Sequence, residues 1–293
     1  MSSHLAPVRA SVLRWYADRR RDFPWRGLTD PYAVLVSEVM LQQTQASRVA
    51  ERFPRFMSRF PTAATLAAAT PASVLSEWTG LGYNRRALAL RAAAAAVAQD
   101  GWPRDVPGLE RLPGVGPYTA RAVASLAFSL PVGVVDTNVR RWLLRRFGGP
   151  DSPRRLQRLA DELAAPGRGE EVPDWTHASM ELGATVCRSR VPICETCPVA
   201  SDCPSVGAAP PVPVRRQAPL RGSDRAYRGA AVRILSRAGS HATTEIALRA
   251  GLGDAGPPLD DAAWRRILGG LERDGLAHRS GRLIRLGAAT IGP

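Results

Sequence analysis

The chain has 293 residues and a net charge of +14, from 40 basic and 26 acidic residues; every one of the 40 is arginine. That excess calls for an acidic partner such as nucleic acid, and the length suffices for two domains with cores of their own. No run approaches the length of a membrane span and the first five residues open no signal-like apolar stretch, so the expectation is a cytoplasmic, nucleoid-associated protein that touches no membrane.

Residues 9–18 carry Val12, Leu13 and Tyr16 at helical spacing with arginines opposite, and Phe23-Pro24-Trp25-Arg26 ends that run. Asp30-Pro31 opens a helix to about residue 40 that turns Val34, Val36 and Met40 inward. Leu41-Gln42-Gln43-Thr44-Gln45 breaks its apolar pattern. Further helices are expected at about 46–59, with a kink at Pro54, then 62–68, 71–78, 84–99, 117–129, 137–147, 152–165 and 173–187. Period-two alternation is nearly absent, so residues 1–205 read as all-α. A Pro-, Ala- and Gly-rich linker follows at 206–224. Residues 225–293 regain order with helices at 226–237, 243–250 and 262–274, then a hairpin around Ser280-Gly281. Three helices and a basic hairpin suggest a small winged-helix-like module, its third helix bearing Arg265, Arg266 and Arg273.

Two places carry chemistry. In Leu112-Pro113-Gly114-Val115-Gly116-Pro117-Tyr118 two glycines frame a tight turn before an Ala-rich helix. Backbone N–H groups and a helix N-terminus then form an anion site suited to a phosphate; the other reading is an ordinary turn between helices. Asp136 follows at the mouth of the next helix. The four cysteines, Cys187, Cys194, Cys197 and Cys203, all lie in one short segment, which favours a metal or cluster site over disulfides. Zinc sites favour two short Cys-x-x-Cys pairs. The longer gaps here fit a wrap around a larger object.

Together with Trp25-Arg26, Ser37-Glu38-Val39-Met40-Leu41-Gln42-Gln43-Thr44, Trp78-Thr79-Gly80-Leu81-Gly82-Tyr83, Val135-Asp136-Thr137-Asn138-Val139 and Glu181-Leu182-Gly183-Ala184, these motifs resemble the helix-hairpin-helix DNA glycosylases of the endonuclease III superfamily. Within it they are most similar to the adenine DNA glycosylases of MutY type, over roughly residues 8–205. The resemblance implies a two-lobed all-α fold, with a six-helix barrel from about 28–132 and a cluster lobe from 1–27 and 133–205. It implies a [4Fe–4S] cluster on the four cysteines and a monomer acting on double-stranded DNA with adenine opposite 8-oxoguanine or guanine. Glu38 becomes the general acid that later activates water, and Asp136 the electrostatic or covalent partner at the sugar, with Tyr118 and Asn138 beside them. Glu38 then needs a raised pKa. Where bifunctional relatives carry a Schiff-base lysine this chain has Tyr118, and it contains no lysine, so a monofunctional glycosylase is expected.

By the same resemblance Leu41 and Gln43 wedge into the duplex, Thr44 contacts the opposite base, Tyr83 stacks near it, and Trp25 and Arg26 line the adenine pocket. Tyr118 is expected to position Asp136 or the departing base, and His177 is a further candidate near the base. Gly114 and Gly116 contact the backbone, with a monovalent cation at the hairpin, helped by Arg85, Arg86, Arg121 and Arg188. The tail departs from the pattern, since no Nudix-like reader of 8-oxoguanine is visible. Two other readings stay open: a thymine glycosylase for T:G mismatches and a non-catalytic DNA-binding iron–sulfur protein.

Overall fold

In the computed structural model, which describes residues 5–166, 168–169, 171–207 and 219–288, short polar side chains start helices as the sequence signals. Thr62, Thr70, Asp105, Asp136, Ser152, Ser223, Thr244 and Asp260 each accept a backbone N–H of the first helical turn. The helices are α1 (Leu5–Arg19), α2 (Pro31–Leu41), α3 (Ala46–Arg59), α4 (Ala63–Ala68), α5 (Pro71–Trp78), α6 (Arg85–Asp100), α7 (Val106–Glu110), α8 (Pro117–Phe128), α9 (Thr137–Phe147), α10 (Pro153–Ala164), α11 (Glu171–Glu181), α12 (Asp224–Arg237), α13 (Glu245–Ala250) and α14 (Asp261–Arg273). The strands are β1 (Ala242–Thr244), β2 (Ala277–Ser280) and β3 (Leu283–Leu286). Helix α3 runs through Pro54. Among the described residues no helix is long and apolar enough to cross a membrane.

The chain divides into two units: residues up to Glu38, Trp102–Arg111 and the segment from Val115 through the cysteines; and Val39–Gly101, Leu112–Gly114 and the C-terminal part. In the first unit α1, α9, α10 and α11 close a core of Leu5, Val12, Tyr16, Trp142, Leu143, Leu156 and Trp175, with Trp142 edge-on to Trp175 at 6.4 Å. Helix α8 joins this unit because its buried Ser125 hydroxyl meets that of Thr176 on α11 at 2.6 Å. Helix α11 stops earlier than its periodicity suggests and yields to a π-helical turn, Leu182–Val186. Gly183 sits so close to α9 that an added Cβ would lie 2.4 Å from the Asn138 carbonyl oxygen. Only glycine allows that approach.

In the second unit Phe53, Phe56, Leu66, Leu75, Trp78 and Leu90 form the buried face of α3–α6. The C-terminal module has a three-stranded antiparallel sheet in the order β1-β3-β2, with Thr243 opposite Ile284 and Arg279 also opposite Ile284. Thr243, expected to open a helix, lies in β1 instead, and α13 starts after the capping Thr244. The module is seated on α5 and α6. Thr79 and Ser236 hydroxyls meet at 3.2 Å, and a side chain at Gly287 would run into Pro71 at 2.9 Å.

Candidate active site

Helix α2 has buried Tyr32, Val34, Leu35, Val36, Val39 and Met40, so a residue on it is drawn inside whatever its polarity. Glu38 is only 4% exposed. The Tyr118 hydroxyl, in the first turn of α8, donates to Glu38 Oε2 at 3.0 Å. Burial pushes the Glu38 carboxyl up to about 7; the Tyr118 hydrogen bond and the Arg26 cation oppose the rise, and the Asp136 charge adds to it. The same burial, and Glu38 itself, hold the Tyr118 hydroxyl well above its ordinary pKa, so it remains a donor. Its hydrogen-bond partner is Glu38, where the expectation was that it positions Asp136 or the departing base.

Asp136 caps α9. Its Oδ1 accepts from the Asn138 and Val139 N–H groups at 2.9 and 2.6 Å, and its Oδ2 accepts from Asn138 Nδ2 at 2.7 Å. These bonds favour the ionised form, yet burial outweighs them and raises the carboxyl above its usual value. The cap fixes the side chain, and the Asp136 charge acts on both Glu38 and Tyr118.

Trp25 is buried and stacked on Phe23 at 4.8 Å. Arg26 donates to Glu181 Oε2 at 2.9 Å, and Arg21 grips the same carboxylate at 2.5 and 3.2 Å. The Arg26 charge opposes the rise of Glu38 and Tyr118, and burial, with Arg26 added, holds His177, one turn before Glu181 on α11, well below its ordinary pKa and neutral. Glu181 lies in the Glu181-Leu182-Gly183-Ala184 motif, and its place in the sequence alone gives it no role. An acid on the face of a helix otherwise lined by Thr176, His177 and Ala178 was the signal available.

Arg141 was also missed. It donates to Asn138 Oδ1 at 2.9 Å, to the Gly183 carbonyl at 2.5 Å and to the Cys187 carbonyl at 2.6 Å, joining the cap of α9 to the cysteine segment. Arg145 continues inward, reaching Cys187 Sγ at 3.5 Å and the Arg188 carbonyl at 2.7 Å. All four cysteines line one open pocket beside Arg145, Val186 and Ile193. Among the described residues no three His, Cys, Asp or Glu side chains converge on a position for a single metal ion.

The second unit holds Leu41, Gln43, Thr44, Tyr83, Arg86 and Gly114, while Gly116 and Arg121 belong to the first. Leu41 ends α2 half-buried, Gln43 is exposed at φ +54°, and Tyr83 is half-buried at φ +47°, both in the left-handed region that non-glycine residues seldom adopt. Arg86, expected to touch phosphate, is instead turned into the protein. Its guanidinium donates to the carbonyls of Val39, Gln42, Leu81 and Gly82 at 2.7, 2.5, 3.2 and 3.0 Å and to the Thr44 hydroxyl at 3.2 Å. It also lies over Trp78 and Tyr83, at 5.4 and 5.5 Å. One cation thus staples the Gln42–Thr44 turn to the Leu81–Tyr83 turn. Arg121 is likewise engaged, with Asp161 Oδ1 at 2.7 Å and the Gly133 carbonyl at 3.2 Å. Gly114 needs to be glycine, with φ +74° and Ala89 Cβ 2.6 Å from where its own Cβ would be. Gly116 leads into α8 with no side-chain cap on the helix N-terminus.

Fold and site define a class: a DNA glycosylase of the helix-hairpin-helix type, with a buried acid held protonated near neutrality. Residues 36–166 match the HhH-GPD superfamily of base excision DNA repair proteins. The chain is 41% identical over 283 residues to an adenine DNA glycosylase of Mycobacterium tuberculosis, covering 92% of this chain and 90% of that protein. It is 42% identical over 297 residues to that of Mycolicibacterium smegmatis, covering 98% of each. The human adenine DNA glycosylase matches at 42% over 217 residues, 68% of this chain and 39% of the human one. A thermostable thymine-DNA glycosylase superposes with a TM-score of 0.63 at 30% identity, over 68% of this chain and 95% of that structure. An endonuclease III trapped on DNA shares the fold at a TM-score of 0.57 and 23% identity. The chain belongs to the adenine DNA glycosylase family of the HhH-GPD superfamily.

Proposed function

We propose that this chain removes adenine mispaired with 8-oxoguanine or guanine in double-stranded DNA, as a monomer, by hydrolysis without strand cleavage. The observation that carries the reading is Glu38, a buried carboxyl pushed up to about 7 and bonded to Tyr118. Adenine leaves poorly as an anion. Glu38 gives its proton to a ring nitrogen of the base as the N-glycosidic bond breaks. Asp136, fixed by the cap of α9, stabilises the cationic sugar. Water adds to the anomeric carbon, its proton returning to Glu38, and the products are free adenine and an intact abasic site. Trp25, Arg26 and the neutral His177 line the base side; Gln43, Leu41, Thr44 and Tyr83 serve the duplex gap. Gly114, Gly116 and the α8 N-terminus meet the backbone, with a monovalent cation at the hairpin.

The four cysteines fit a [4Fe–4S] cluster. They line an open pocket rather than a point, and the spacing leaves three gaps of unequal length. When bound, the cluster would tie the 187–203 segment together; Cys187, Cys194, Cys197 and Cys203 would hold it. Iron and acid-labile sulfide in equal amounts, with visible absorbance, support this assignment, and stoichiometric zinc would remove it.

The functional test incubates the protein with duplexes carrying A:8-oxoguanine, A:G, T:G and thymine glycol, each followed by alkali. Alkali-dependent cleavage at adenine alone is expected. Cleavage at the T:G thymine would favour the thymine glycosylase reading, and no cleavage anywhere would favour a DNA-binding protein without activity. Borohydride should trap no Schiff base through a side chain.

A further inference from the structure

We infer that the C-terminal module acts on DNA through Arg225, as a positioning residue that seats Tyr83. The inference rests on the reading above, that the chain grips duplex DNA. Tyr83 occupies a backbone conformation that a non-glycine residue holds only when its surroundings impose it. Part of that constraint is Arg86, inside the same lobe. The module adds a further hold. Arg225, in the first turn of α12, donates from Nη1 to the Tyr83 hydroxyl at 2.6 Å, and its guanidinium lies 5.5 Å from the ring centre. The ring therefore has Arg86 and Arg225 both at cation–π distance.

The neighbouring arginines of the module behave differently. Arg228, Arg249, Arg266 and Arg279 face Asp274, Asp261, Asp224 and Glu245, all within the module. Arg225 instead reaches out of it to Tyr83. Helix α12 is not free to drift while doing so. Ser236 near its far end meets Thr79 on the residue after α5, and Gly287 fits against Pro71. A module seated at several points, delivering one cation to one strained aromatic, is built to hold that aromatic and not merely to add charge. The mycobacterial relatives match 92% and 98% of this chain, so their matches take in the module, whereas the human match covers 68% of it.

The test is a double-mutant cycle on a duplex carrying an abasic site opposite guanine, in the full-length protein. Arg225→Ala and Tyr83→Phe should each weaken binding, Arg225→Ala on the order of tenfold for loss of a charge-assisted hydrogen bond. Combined they should be no worse than the more harmful single change. Arg225→Gln, which can still donate, should recover most of the affinity. The slope of affinity against salt should stay at the wild-type value, because no phosphate contact is lost; Arg265→Ala in the exposed face of α14 serves as the charge control. Additive losses would overturn the inference, as would a salt slope reduced by about one with no recovery by glutamine, since Arg225 would then be a phosphate contact. A wild-type protein that binds no duplex would sink the parent reading, whereas additive losses in a protein that binds well sink this inference alone.

Discussion

Glu38 and Arg86 are the same physical situation with opposite sign. Each is an ionisable group removed from water, Glu38 fully and Arg86 in part, and among the described residues neither forms an ion pair; Glu38 has a phenol, Arg86 has carbonyls and a hydroxyl. Burial shifts both toward the neutral form, Glu38 up to about 7 and Arg86 down to about 10. The outcome differs because their starting points differ. The carboxyl arrives inside the working pH range and can give or take a proton. The guanidinium stays charged at any working pH and can only hold. The buried acid of the first unit can therefore exchange a proton, whereas Arg86 in the second holds two strained turns together, as Arg141 and Arg145 hold the cysteine segment in the first.

Removing the acid should have the largest effect. Glu38→Gln should lower single-turnover excision by at least 10²–10⁴-fold, the usual contribution of a positioned acid, while leaving duplex binding nearly intact. It should also stabilise the fold, and more so as pH rises. The unfolded chain releases the proton near 4.5 and the folded one near 7, so the wild type loses stability across that window, by about 3 kcal/mol in all. Calorimetry of both proteins should show a small difference at pH 5 and several degrees in favour of glutamine at pH 8. An equal difference at both pH values would mean that Glu38 does not titrate where its burial places it.

Asp136→Asn should come next, with about a 10²-fold loss of rate. Asparagine caps a helix nearly as well as aspartate, so the fold should lose no more than about 1 kcal/mol, mostly from the bond to Asn138 Nδ2. A large loss of melting temperature with a proportionate loss of rate would make Asp136 a cap and nothing more. Arg86→Met should invert that profile. It removes several bonds to buried carbonyls and should cost about 2–3 kcal/mol in stability. Its rate once saturated with DNA should stay within a few-fold of wild type, and the affinity should fall because both turns lose their staple. A rate loss as deep as that of Glu38→Gln would erase the contrast between the two regions.

What could be read from the sequence was what is local. Asp136 as a cap followed from its place before an amphipathic run; Gly114 followed from a turn that excludes side chains; the cysteine segment followed from spacing. The exposure of Glu38 was also decided locally, since its neighbours on α2 are apolar. The errors arose where a distant element supplies the partner. Arg86 lies at the start of a helix beside another arginine, where a phosphate contact was expected, and nothing near it announces that carbonyls from residues 39–42 arrive there. Glu181 receives Arg21 from 160 positions away in the chain. Gly183, within the π-helical turn Leu182–Val186, lies against α9 from far away in the chain, and β1 depends on β3 coming alongside. Periodicity says which side of a helix faces inward, but not what waits on the other side.

The smallest effect tests what seats the C-terminal module. Arg85 and Asp274 form an ion pair at 3.6 Å, with Arg85 largely exposed and Asp274 also held by Arg228. An exposed pair of this kind contributes about 0–1 kcal/mol, and a remaining partner for Asp274 makes its loss smaller still. Arg85→Ala should therefore leave the melting temperature of the full chain within about 1 °C. Gly287→Ala is the informative counterpart, because φ is +85° there and the new Cβ would stand 2.9 Å from Pro71. It combines backbone strain with a clash and should cost on the order of 1–2 kcal/mol. If the arginine change destabilised more than the glycine change, the module would be held by charge and its grip on Tyr83 would weaken with salt. The expected order, glycine well above arginine, means that packing holds the module in place, so its influence on the Tyr83 turn should persist at ionic strengths that weaken DNA binding itself.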